Sequence, residues 1–145
     1  MMETFDQKLD ALLEQIDEYH ESIEEVSNKI RNLEQRLLKS KSTTPYELLI
    51  DTYDREGRTV NTYILWGRCP ASRENRFRLL YKSTIPSEDA QYNIVVRPLI
   101  ETKVEVRLAS VAHLEKFVEG YLKEYKRQKE HAMRTAYDDP DFIMW

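Results

Sequence analysis

The chain has 145 residues, of which 33% are charged and 41% hydrophobic, with three histidines, one cysteine and a net charge of -4. This composition excludes wholesale disorder, and no apolar run approaches the length of a membrane span. The acidic balance gives no general attraction to nucleic acid.

The N-terminal segment organises the chain. Phe5, Leu9, Leu12, Ile16, Tyr19, Ile23, Val26, Ile30, Leu33 and Leu37 follow one another at alternating gaps of four and three residues. That alternation keeps one seam of a helix against a partner, so residues 1–41 read as a coiled-coil oligomerisation helix. Leu9, Ile16, Ile23, Ile30 and Leu37 take heptad position a, and Phe5, Leu12, Tyr19, Val26 and Leu33 take position d. Three isoleucines at a favour a parallel homodimer. Leu13 at e and Leu38 at b widen the apolar face.

Charge along this segment leaves orientation and partner open. Residues 1–28 carry nine acids against Lys8, whereas residues 29–41 carry five bases against Glu34. The gradient complements the helix dipole and would also draw an antiparallel pair together. The flanking positions match themselves poorly, so a heterologous coiled-coil subunit is the alternative to self-association.

Lys39 to Pro45 is polar and ends in a proline, which predicts a short linker. Residues 42–137 then read as a small α+β head. Strands are predicted over Tyr46–Tyr53, Arg58–Trp66, Phe77–Lys82 and Tyr92–Arg97, with a turn at Asp54–Gly57. Lys103–Leu108 alternates Val104, Val106 and Leu108 with charged residues, which predicts a fifth strand with one wet face. Ser110 reads as the N-cap of a final helix whose apolar face, Val111 to Tyr125, covers the sheet. The fold class is therefore α+β, with a long coiled-coil helix preceding an antiparallel sheet of four or five strands packed on a C-terminal helix. Residues 138–145 form an acidic-apolar tail, in which Phe142 and Trp145 are candidate docking residues.

Chemistry is sparse. His20, His113 and His131 stand in no spacing that holds a metal, and neither CxxC nor HExxH occurs. Cys69 has no base indicated by the sequence, and the three glycines make no phosphate-cradling loop. No cofactor and no catalytic residue is predicted. One cysteine and an N-terminus without a signal-peptide pattern point to a cytoplasmic protein, or a nuclear one in a eukaryotic cell.

The candidate binding surface is basic: Arg55, Arg58, Arg68, Arg73, Arg76, Arg78 and Lys82 crowd one stretch. Strict alternation puts Arg76 and Arg78 on the wet face of a strand, opposite Phe77, Leu79 and Tyr81. Such a face can contact carboxylates of another protein or single-stranded nucleic acid. The expected function is a non-enzymatic oligomeric adaptor or scaffold presenting paired heads to another protein. A nucleic-acid-associated regulator using the 55–82 surface is the alternative.

Overall fold

The computed structural model describes residues 2–69, 76–86 and 92–138. In chain order the elements are α1 (Phe5–Ser40), β1 (Tyr46–Arg55), β2 (Arg58–Arg68), β3 (Phe77–Pro86) and β4 (Tyr92–Pro98). A 3-10 turn (Leu99–Glu101), α2 (Val104–Val111) and α3 (Leu114–Asp138) follow. The four strands form one antiparallel sheet in the order β1-β2-β3-β4. The tail residues Phe142 and Trp145, and Arg73 of the basic stretch, lie outside the described residues.

Helix α1 is a single unbroken element of 36 residues. Its start is fixed by a capping box. The Gln7 backbone N–H donates to the Thr4 hydroxyl at 3.2 Å, and the Thr4 N–H donates to the Gln7 side chain at 2.9 Å. Its end is Lys41, held in the left-handed region at φ 58° while its N–H donates to Leu38. A side chain other than glycine is strained there, at a cost near 1 kcal/mol. Lys41→Gly should therefore stabilise the protein by about 0.5–1 kcal/mol, read as a melting temperature raised by roughly 3 °C.

The polar linker is pinned rather than loose. The Trp66 indole donates to the Ser42 carbonyl at 3.1 Å, and the Tyr121 hydroxyl donates to the Thr44 carbonyl at 2.8 Å. Each bond crosses from the linker to a different layer of the head, so the angle of α1 is set by the fold and not by a hinge.

One sheet face carries Tyr46, Leu48 and Ile50 of β1, Ile64 and Trp66 of β2, and Phe77, Leu79 and Tyr81 of β3, in register. The helices cover this face. Ile64, Trp66, Leu79 and Leu99 are fully buried against Ile30 of α1 and Phe117 of α3. The core therefore runs across the boundary at residue 41: Val26, Ile30, Leu33, Leu37 and Leu38 of α1 all pack on it.

Two expectations for the C-terminal half do not hold. Lys103–Leu108 is not a strand but most of α2. The sequence Val-Glu-Val-Arg-Leu satisfies both periods, and tertiary contact decides between them. In the helical period Glu105, Ala109 and Ala112 are exposed together, while Arg107 turns inward. The Arg107 guanidinium donates to the Ser27 hydroxyl of α1 at 2.6 Å and to the Thr102 carbonyl at 3.1 Å. Ser110 is likewise not an N-cap. It sits buried near the end of α2, where its carbonyl accepts the His113 N–H at 2.9 Å.

The join of α3 to β1 is an aromatic cluster. Tyr46 lies 5.2 Å from Phe117 and 5.5 Å from Tyr121, centroid to centroid. Burial and the nearby Glu124 carboxylate both push the Tyr46 phenol above its usual pKa. Gly120 makes this contact possible, because a Cβ there would lie 2.9 Å from the Tyr46 Cζ and closer still to its hydroxyl. Gly120→Ala should destabilise by about 1–3 kcal/mol despite alanine's better helix propensity. Adding Tyr46→Phe, which removes the closest atom, should recover part of that loss in thermal melts.

Candidate interaction surfaces

The heptad face of α1 divides into two halves with opposite surroundings. From Val26 onward it belongs to the head. Ile30 is fully buried, and Ser27 and Glu34 on its e flank bond to the head as well. Upstream every described residue from Met2 to Ser22 is exposed. Phe5 is 77% exposed, Leu12 55%, Tyr19 49%, Leu13 48%, Ile16 40% and Leu9 38%. Helical spacing puts these side chains in one stripe about 21 Å long, and none of the chain's described residues covers it.

A second apolar feature lies where the lower half of α1 meets α3. Leu33 and Leu37 of α1 and Phe117, Val118, Tyr121, Leu122 and Tyr125 of α3 line a groove of about 450 Å³. The apolar face predicted for the final helix is therefore used unevenly. Leu114, Phe117 and Tyr121 pack on the core, while Val118, Leu122 and Tyr125 stay about half exposed.

The basic stretch is dispersed by the fold. Arg78 does not lie on a wet face. It folds over the sheet edge to Glu34 of α1, at 3.1 Å, with both side chains less than one-fifth exposed. The reason is an open edge. Leu79 lies one residue past the end of the β3–β4 ladder, and its free N–H donates to the same Glu34 carboxylate at 2.9 Å. Burial works against the Arg78 charge, but the hydrogen bond and attraction from Glu34 more than offset it, so its pKa is raised.

Lys82 pairs with Glu47 across the sheet and lies 4.6 Å from the Tyr63 ring centroid. Arg68 lies 5.4 Å from the Phe77 ring centroid. Arg58 and Arg76 also have intramolecular partners. Arg55 sits opposite Arg58 at the end of the β1–β2 hairpin, where Glu56 at φ 53° and Gly57 at φ 78° make the turn. Much of the positive charge is thus spent within the chain.

A cleft between the sheet and α2 sets Asp51, Tyr81, Glu105, Ser110 and His113 among the apolar side chains of Ile50, Val106 and Ala109. Burial pushes the Tyr81 phenol up, opposed by a hydrogen bond with Thr62. A serine nucleophile needs a hydrogen-bonded base. The buried Ser110 hydroxyl has no hydrogen-bond partner among the described residues, so Ser110 and His113 are not coupled in that way. Cys69 is buried and unpaired. Among the described residues, no group of three or more His, Cys, Asp or Glu side chains is placed to hold a metal ion. No described helix is long and apolar enough to cross a membrane.

No family model, curated protein or solved structure matches this chain. Sequence reasoning found the stripe but missed Glu34, Ser27 and Arg107, which fasten α1 to the head. Their only signal is polarity at positions beside an apolar seam, and solvent-facing residues share it.

Proposed function

We propose that this protein is a non-enzymatic oligomeric adaptor. The upper half of α1 joins it to a second helix, and the α+β head presents a surface to another protein. The observation that carries this reading is the apolar stripe from Phe5 to Tyr19, exposed on a helix whose lower half is anchored. An exposed apolar strip in heptad spacing is stabilised by pairing, because each covered side chain leaves water. Joining two heads then raises apparent affinity for a repeated or two-site partner. The groove between α1 and α3 is the surface of the head best suited to such a partner, since it is concave and apolar. The setting proposed is the cytosol, with the lone cysteine kept as a thiol.

Sedimentation at graded concentrations tests the assembly step. The full-length chain should gain mass with concentration, and the chain lacking residues 2–21 should remain a folded monomer. Equal oligomeric mass for both would remove the coil from the account. The nucleic-acid reading has less support, since Arg78, Lys82 and Arg68 are engaged internally. It requires binding that weakens steeply between low and moderate salt, and a probe titration at two ionic strengths decides it.

A further inference from the structure

We infer that the exposed stripe of α1 takes a second copy of this chain in antiparallel orientation, each copy's N-terminal turn stopping against the other's head. This rests on the oligomeric reading above and adds orientation and register to it.

The first argument is steric. The head packs on the same face of α1 that carries the exposed stripe, because Ile30 and Leu37 share heptad position a with Leu9 and Ile16. In a parallel pair the partner helix would run about 8–10 Å away on that face, where the head already sits from Val26 onward. Both heads would have to fit between helices that touch at Ile23, only about 10 Å upstream of Ile30. Antiparallel pairing has no such conflict, because the heads lie at opposite ends.

The second argument is register. Centring the pair on residue 14 brings Phe5 of one copy against Ile23 of the other, Leu9 against Tyr19, and Leu12 against Ile16, each contact occurring twice. Every layer then joins an a to a d position, and each aromatic meets an aliphatic. Leu13, an e-position residue 48% exposed, meets its own copy beside the two-fold axis. Asp6 comes beside His20.

Charge and area agree with self-pairing. Asp10, Glu14, Asp17, Glu18 and Glu21 fall at b, c and f positions, away from the seam, so the like charges of the two acidic halves stand in solvent, where salt screens their repulsion. The same register carries Glu3 and Asp6 of one copy toward the other's cleft of about 360 Å³, lined by His20, Ile23, Glu24, Ser27, Arg31 and Arg107. At about 200 Å² per aromatic side chain, the exposures of Phe5 and Tyr19 leave roughly 250 Å² uncovered on each copy. With the four aliphatic residues the pair buries on the order of 1,000 Å², the lower bound for a specific interface. The dimer should therefore dissociate on dilution.

The test places a nitroxide at Lys29→Cys in a Cys69→Ser background and measures the spin–spin distance on full-length protein, beside its sedimentation mass. The antiparallel register separates the two labels by thirty residues of helix rise, about 45 Å. A dimer with a distance below about 30 Å would overturn the orientation and leave self-assembly standing. A chain that stays monomeric at every concentration would overturn both. Leu13→Glu supplies an independent arm, and its unchanged circular dichroism would show that the head is folded. At the two-fold axis it should weaken association at least tenfold, and mixing with Leu13→Lys should restore it. In a parallel coil Leu13→Glu would face Lys8 instead, so undiminished association would also overturn the proposal.

Discussion

Deleting residues 2–21 should leave the melting temperature of the monomer nearly unchanged, and deleting residues 2–41 should abolish the fold. The difference lies in what each segment covers. The first deletion removes side chains that are exposed in the monomer, and it leaves Ser22 followed three residues later by Glu25, a ready capping box for the shortened helix. The second removes Ile30 from the core together with Val26, Leu33, Leu37 and Leu38. Losing one such side chain to alanine costs about 2–5 kcal/mol, against a total stability of about 5–15 kcal/mol. Point variants make the same contrast. Ile16 and Ile30 occupy the same heptad position, yet Ile30→Ala should cost about 3 kcal/mol and Ile16→Ala less than about 0.5 kcal/mol. Denaturant melts at a concentration low enough to hold the chain monomeric measure both. Equal losses at the two positions would contradict the packing described for α1.

Glu34→Ala should cost about 2–3 kcal/mol, the largest single loss expected from any charged side chain in the head. The variant strips the partner from Arg78, whose side chain is 18% exposed, and leaves the Leu79 N–H without its acceptor at the sheet edge. A half-broken, poorly solvated ion pair is costlier than none, so Glu34→Ala combined with Arg78→Met should destabilise by clearly less than the two single changes summed. A coupling of about 1 kcal/mol or more in that double-mutant cycle is the expected result. Glu34→Gln keeps an acceptor for Leu79 and should lose about half as much. Salt gives a further contrast. Screening should barely change the Glu34–Arg78 coupling, whereas Glu124 and Arg127, 30% and 67% exposed on α3, should show little coupling at any ionic strength. Additive losses at Glu34 and Arg78 would mean that the carboxylate serves the backbone of β3 alone.

These residues show which parts of the fold were legible beforehand. The four strands were readable because turn residues, Gly57 at φ 78° among them, and β-rich runs punctuate residues 46–98 locally. The α2 segment was not readable. Val104, Leu108 and Val111 fit a helix as well as Val104, Val106 and Leu108 fit a strand, and the choice depends on Arg107 reaching Ser27, a residue 80 positions away in sequence. The partner of Arg78 was not readable for a related reason. Alternation along β3 gives the side from which its side chain leaves the backbone, but not the carboxylate waiting around the edge.

The heptad spacing by itself determined that residues 5–37 form one long helix with one apolar face, since periodicity is local and α1 needs no outside contact to define that face. It could not determine that Ile30 is core while Ile16 is surface. The two side chains are identical and stand two heptads apart in one unbroken pattern. Only the tertiary structure decides, because the pinned linker folds the sheet and α2 back over the lower half of the helix and leaves the upper half exposed.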